Sequence, residues 1–258
     1  MSVSPPDTGI APDVAGGVPP GRLEEAQVRA MFDRIAGLYD RMNTVMTAGL
    51  HRGWRRRAAE LAEVSPGDRV LDVATGTGDL ALELATRVAP GGEVVGIDFS
   101  QRMLELARSK AQAGGKPGVG VRFEPANALA LPYEPNQYAA ATVGFGARNF
   151  ADLERGLAEM VRVVRPGGRV VVLEITTPRR RPLSTFYEVW FDRVVPVLGR
   201  LAGDAAAYSY LPSSVRRFPG PDRLAELMVR SGLRDVRYVL TAGGIVALHV
   251  GVVTADVL

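Results

Sequence analysis

Between residues 69 and 175, short apolar runs alternate with stretches whose apolar positions recur every three or four residues. Residues 69–73, 93–97, 121–124, 138–145 and 169–175 have the length and continuity of buried strands. The stretches between them have helical spacing: Leu80, Ala81, Leu84, Ala85 and Val88; then Met103, Leu104, Leu106 and Ala107; then Leu153, Leu157, Met160, Val161 and Val164. Asp79, Ser100 and Asp152 stand where helix N-caps belong, and Gly114-Gly115 stands where the second of these helices should end. Pro166-Gly167-Gly168 turns the chain into the fifth run. Strand and helix in alternation predict an α/β fold with a doubly wound, mostly parallel sheet and right-handed crossovers.

The same periodicity places elements on either side. Val28, Met31, Phe32, Ile35, Leu38 and Tyr39 predict a helix over 23–40, and a second helical segment runs from about 48 to 63. These two N-terminal helices precede the sheet. After the fifth strand the alternation stops, and residues 178–219 form an insertion. It carries Arg179-Arg-Arg181 and an amphipathic helix over Leu183, Phe186, Tyr187, Trp190, Phe191 and Val194, followed by Tyr208 to Ser214. A further helix is predicted over 221–231. Val236–Leu240 and Ile245–Val253 flank Thr241-Ala-Gly-Gly244 and read as a hairpin, which makes a seven-stranded sheet with an antiparallel last strand. Residues 1–22, rich in Pro, Gly and Ala, read as a disordered tail ahead of a single domain over 23–258.

Composition narrows the chemistry. The chain has no cysteine, so disulfides, thiolate metal sites and cysteine nucleophiles are excluded, and with only His51 and His249 no metal site is expected. A net charge of +3 is too small to argue for nucleic acid. No run approaches the ~18 apolar residues of a membrane span. The expected location is cytoplasmic, at most peripheral at the inner face of the membrane.

The candidate chemistry starts at Arg69-Val-Leu-Asp-Val-Ala-Thr-Gly-Thr-Gly78. A strand, a glycine turn and a helix start make a nucleotide site: the backbone N–H groups face the ligand and the glycines let it approach. Gly76-Thr-Gly78-Asp-Leu-Ala81 satisfies G-x-G-x-x-G/A, and Asp98 closes the next strand at the distance expected of a ribose-binding carboxylate. That pattern fits nicotinamide dinucleotides and S-adenosylmethionine alike. The absence of a second glycine-rich unit and the terminal hairpin turn the choice away from nicotinamide.

The arrangement over 69–253 resembles the Rossmann-like class I S-adenosylmethionine-dependent methyltransferases, with Ala74 in place of the usual first glycine. A narrower set of segments resembles the menaquinone/ubiquinone C-methyltransferase family: Tyr39-Asp-Arg-Met-Asn43, Gly49-Leu-His-Arg-Gly-Trp54, Phe145-Gly-Ala-Arg-Asn149, Tyr208-Ser-Tyr-Leu-Pro212 with Phe218-Pro219, and Gly243 to His249. Leu is usual in that family where Ala147 stands. The resemblance implies S-adenosyl-L-methionine as cofactor and a prenylated quinol as acceptor. It implies C-methylation of demethylmenaquinol to menaquinol, with a ubiquinone-precursor benzoquinol or another small molecule as alternative acceptors.

On the same footing, Asp98 is expected to take the ribose hydroxyls. Gly76, Thr77 and Gly78 cradle the methionyl part, Asn127 and Ala128 flank the adenine, and Asp72 either reaches the ammonium through water or orients the glycine loop. Gly144 joins the cofactor set although some members have Ser there, so that side-chain contact is lost. Arg148 is expected to stabilise the charge of a phenolate, Asn149 to orient a water, and His51 is a candidate base. Tyr39, Asp40 and Asn43 close over the cofactor as a lid, with Tyr39 and Asn43 toward the substrate, or else end the first helix with Asn43 as terminator; Tyr208 and Tyr210 face the quinol ring or pack in the core. The partner expectations are the quinol, lipid contact by the insertion helix with its arginines, and a homodimer. No nucleic acid is expected.

Overall fold

The computed structural model describes residues 25–114, 120–178 and 205–254, with positions 181, 185, 190 and 193. The predicted tail and nearly all of the amphipathic insertion helix lie outside the described residues. Seven strands, β1 (Arg69–Val73), β2 (Glu93–Asp98), β3 (Gly120–Pro125), β4 (Tyr138–Gly144), β5 (Val164–Ile175), β6 (Leu233–Thr241) and β7 (Val246–Val253), form one sheet in the order β3-β2-β1-β4-β5-β7-β6. Strands β1 to β5 are parallel, and β7 runs antiparallel between β5 and β6. The predicted doubly wound sheet and its antiparallel last strand are both present.

Side chains alternate across the strands, and each set feeds one core. Leu71, Val73, Val95, Ile97, Val143 and Val172 face Leu157, Met160 and Val161 of α5 (Leu153–Val163) and Leu224 and Met228 of α7 (Pro221–Arg230). Val70, Val94, Ala140 and Val171 face the opposite layer. That layer contains Ala58 and Ala59 of α2 (His51–Leu61), Leu80 and Leu84 of α3 (Asp79–Val88), and Leu104 and Ala107 of α4 (Gln101–Ala113). With strands buried on both faces, near-continuous apolar runs are what the sequence should show. The chain leaves β1 toward β2 on one side and returns to β4 on the other. The crevice beyond the carboxyl ends of β1 and β4 is therefore where such a sheet opens a ligand site.

Several boundaries differ from the sequence expectation. The first helix, α1 (Glu25–Thr47), runs through Asn43 without ending there. Tyr208 to Ser214 is helical, inside α6 (Ala205–Arg217), with Pro212 within it. Strand β5 begins at Val164, which already pairs with Tyr138 before a bulge. Ser100 and Asp152 cap as predicted, accepting from the amides of Met103 and Arg155, but Asp79 does not. The N-cap of α3 is Gly78, and the Asp79 carboxylate instead meets Lys110 at 2.6 Å. His249 is a fold pin: its Nε2 meets the Pro221 carbonyl at 2.9 Å, tying α7 to β7, and burial lowers its pKa to about 4.

Candidate functional site

The glycine loop is held from both ends. Ala74, Gly76 and Gly78 all have left-handed backbone, with φ of 51°, 57° and 83°. The Thr75 amide donates to the Ile97 carbonyl at 2.8 Å. Asp72 is fully buried and accepts from the hydroxyls of Thr75 and Thr142, both at 2.6 Å. Burial raises its pKa to about 6 against the pull of those hydrogen bonds. Asp72 thus orients the loop, while also lining the cavity beyond it. Asp98 accepts from the amides of Gly76 and Ser100, each at 2.9 Å, and burial pushes its pKa up to about 6. A carboxylate oxygen accepts more than one hydrogen bond, so these amides do not exhaust its acceptor capacity.

A cavity opens over this loop. Asn127, Ala128, Leu129, Phe99 and Met103 line it, as do Gly76, Thr77, Gly144 and Phe145. Gly78 is not on its wall. An added Cβ there would meet Phe123, so the turn needs glycine at this position. Asn127 accepts from the Leu129 amide at 2.8 Å, which fixes its side chain. Helix α1 lies across the cavity at three polar contacts. Asn127 donates to Glu25 at 3.2 Å, the Ser100 hydroxyl donates to Asp33 at 2.5 Å, and the Thr77 hydroxyl donates to Asp40 at 2.7 Å. Lys110 joins the last of these, reaching both Thr77 at 2.8 Å and Asp40 at 2.7 Å.

A second cavity of about 430 Å³ adjoins the first and is walled mainly by Met31, Ile35, Met42, Met46, Trp54 and Leu211. Phe32, Tyr39, Arg55, Phe145 and Asn149 line both. Asn43, Arg148 and Tyr210 line the second, and the Tyr210 hydroxyl donates to Asn149 at 3.3 Å. The side chain of Tyr208 lies outside what the structure describes. Arg148 is buried and donates to Glu174 and to the Phe145 carbonyl, both at 2.6 Å. Burial opposes its charge, but Glu174 outweighs it and the pKa lies above the ordinary arginine value. Its buried Nε has no hydrogen-bond partner.

His51 does not have the free nitrogen that a base needs. Its Nδ1 accepts from Arg55, since a guanidinium can only donate. The proton therefore sits on Nε2, which donates to the Thr44 hydroxyl at 3.3 Å, and that hydroxyl donates to the Asp40 carbonyl at 2.9 Å. Burial first and Arg55 second lower the His51 pKa, so the ring is neutral at pH 7.

Two residues of the site escaped the sequence reading. Arg52, Arg56 and Arg57 of α2 are exposed, but Arg55 is buried with His51 one turn earlier. The signal was the inward pair at i and i+4 in line with Ala58 and Ala59. Glu174 was hidden in an apolar run. An acid near the carboxyl end of a strand was the available clue, as at Asp72 and Asp98, and all three are buried. Among the described residues no acid or histidine cluster could hold a metal, and no helix is long and apolar enough to cross a membrane.

The chain is similar to known proteins in sequence and in fold. The model of a family described as the ubiE/COQ5 methyltransferase family matches residues 21–253. A relative from Thermus thermophilus named demethylmenaquinone methyltransferase is 50% identical over 222 residues, 86% of this chain and 99% of that one. One from Geobacter sulfurreducens, named ubiquinone/menaquinone biosynthesis C-methyltransferase UbiE, is 42% identical over 87% of this chain and 88% of its own. The solved structure of a SAM-dependent methyltransferase from Aquifex aeolicus covers 90% of this chain and 100% of its own with a TM-score of 0.57, and at 15% identity it speaks for the fold alone.

Proposed function

The chain belongs to the ubiE/COQ5 methyltransferase family, and we propose that it methylates demethylmenaquinol on a ring carbon to give menaquinol, with S-adenosylmethionine as donor. The observation that carries this reading is the meeting of two cavities at shared walls. One is built on the glycine loop with Asp72, Asp98 and Asn127 on its wall, the other is lined mainly by apolar side chains, and Tyr39, Phe145 and Asn149 belong to both. A donor and an apolar ring held in adjoining cavities react as one molecule, without water between them.

The residues present fit the donor. Asp98 lines the cavity with a carboxylate that can accept from a ribose hydroxyl, Asn127 and Ala128 offer an adenine edge, and Gly76, Thr77 and Gly144 leave backbone open to the methionyl part. When bound, the donor supplies a methyl group on a sulfonium, which leaves as a neutral thioether. The chain has to favour the phenolate of the acceptor, because an ionised oxygen makes the ortho carbon nucleophilic. We assign that task to Arg148, whose side chain lines the apolar cavity. As the ring carbon takes the methyl group it loses its own proton to water, oriented by Asn149.

The purified protein, given labelled S-adenosylmethionine and reduced acceptors, should label demethylmenaquinol. Label in a demethylated benzoquinol alone would overturn the substrate assignment.

The raised pKa of Asp98 sets a pH signature. A ribose diol donates hydrogen bonds and needs the ionised carboxylate. Affinity for S-adenosylhomocysteine should be flat above pH 7 and fall through about 6 as Asp98 takes a proton. Below that, the loss should approach about tenfold per pH unit. Asp98→Asn should bind weakly and flatten the profile. A wild-type profile that stays flat down to pH 5 would count against Asp98 as the ribose ligand. The sign for folding is opposite. The unfolded carboxyl loses its proton near its ordinary value of 3.8 while the folded one holds it to about 6, so stability without ligand falls as pH rises across that window.

Lipid contact is proposed for the mouth of the second cavity. Val45 and Leu50 line that cavity yet are 59% and 58% exposed, so they form its rim, and the exposed Arg41 and Arg52 flank them. An apolar rim with basic flanks suits an anionic bilayer that holds a prenyl tail. Val45→Asp with Leu50→Asp should keep activity on a short-tailed quinol in solution. It should lose roughly tenfold or more on a long-tailed quinol in anionic vesicles, the order expected for removing two inserted apolar side chains. Equal activity of the two proteins on vesicles would exclude this face.

A further inference from the structure

We propose that Arg55 anchors the carboxylate at the methionyl end of the cofactor, with His51 as its positioning residue; this rests on the S-adenosylmethionine reading above. The donor carries an amino-acid end whose carboxylate needs a cation where water is excluded. Among the described residues, Arg55 is the one basic side chain on the wall of the first cavity. It sits at the loop end of that cavity. Its guanidinium carbon is 5.6 Å from the centre of the Phe145 ring, and its Nη1 is 3.4 Å from the Asp79 carboxylate, which follows the glycine turn. Asn127 and Ala128 belong to the part proposed for adenine, so Arg55 is placed for the other end of the ligand.

Its present partners leave it incompletely matched. Asp79 is held more closely by Lys110, at 2.6 Å. The remaining close partner is the neutral ring of His51, which accepts one N–H and carries no charge. A guanidinium has five donors in a rigid fork, and a carboxylate is the group that takes two of them in parallel. Arg55 is only 7% exposed, so water is a poor substitute. The arrangement also gives the buried, neutral His51 a purpose that proton transfer does not. It fixes one arm of the fork so that the rest faces the cavity.

The test separates a carboxylate anchor from a merely structural arginine by changing the ligand as well as the protein. Binding of S-adenosylhomocysteine and of its decarboxylated analogue is measured by calorimetry on the whole chain and on Arg55→Met and Arg55→Lys. Arg55→Met should weaken S-adenosylhomocysteine roughly tenfold to a hundredfold, the range of a charge-assisted pair. It should leave the decarboxylated analogue within about twofold, and Arg55→Lys should recover part of the loss. Equal loss for both ligands, or no loss for either, would overturn the assignment. Failure of the wild-type chain to bind either ligand would instead remove the cofactor reading on which it stands. Asp79 keeps Lys110 in Arg55→Met, so the variant does not strand a buried carboxylate.

Discussion

Gly78→Ala should lower folding stability by about 2–4 kcal/mol and remove cofactor binding from the fraction that remains folded. Two separate terms add. The backbone at Gly78 has φ of 83°, a left-handed conformation in which a Cβ meets the following carbonyl at a cost of about 1–2 kcal/mol. The new methyl would also lie 2.8 Å from Cζ of Phe123 and 3.0 Å from the Ala107 Cβ. On another side the ring packs over Gly96, where an added Cβ would lie 2.7 Å from it. Gly78 and Gly96 together make the slot that Phe123 fills, and the slot locks the glycine loop to β3. Chemical denaturation with an unchanged slope should show the loss as a shift in midpoint. Phe123→Leu in the Gly78→Ala background should recover part of the overlap term but none of the dihedral term. Full recovery would show that the backbone conformation carries no cost. Ala74 is the control within the same loop. At φ of 51° it already bears left-handed strain where the family pattern has glycine. Ala74→Gly should change stability by less than about 1 kcal/mol, since the relieved strain is offset by added freedom of the unfolded chain.

The sheet was legible because β1, β2, β4 and β5 are buried on both faces, so their apolar runs cannot be confused with solvated helix. The glycine loop was legible because positive φ and backbone approach leave a compositional mark. Helix ends were less so. Asn43 resembles a terminator, yet α1 continues to Thr47 because its inner face keeps packing as far as Met42 and Met46. Asp79 resembles a cap, but the left-handed Gly78 occupies that position and Lys110 offers the carboxylate a stronger partner. The residues missed or misjudged at the site share one cause. Arg55, His51 and Glu174 act through groups far away in sequence or on other elements, and one-dimensional periodicity reports which way a side chain points, not what it meets. The two-cavity arrangement could not be read at all without α1 laid across the sheet, because its latches join residues 37 to 102 positions apart.

Glu174→Leu should destabilise the protein by about 3–5 kcal/mol, the cost of leaving a buried charge without its partner. Arg148 has a side-chain exposure of 6% and Glu174 of 1%, so neither ion can turn to water if the other is removed. Arg148→Met should cost a similar amount, reduced to the extent that the stranded Glu174 carboxyl takes up a proton. The double variant Arg148→Met, Glu174→Leu is the informative one. Replacing both members of a buried pair with apolar groups of similar volume commonly restores stability, so its urea midpoint should return to within about 1 kcal/mol of wild type. If the pair were only a strut between the loop after β4 and the end of β5, activity would return with the fold. If Arg148 also stabilises the developing phenolate, the stable double variant should still be slow by a factor on the order of 10² to 10³ in kcat, the scale for losing one preorganised electrostatic contact. KM for S-adenosylmethionine should be nearly unchanged, because Arg148 lines the apolar cavity and not the cofactor cavity. A double variant with wild-type stability and wild-type kcat would return Arg148 to a structural role. The phenolate would then need another cation, and Arg55, which lines both cavities, is the one the described residues provide.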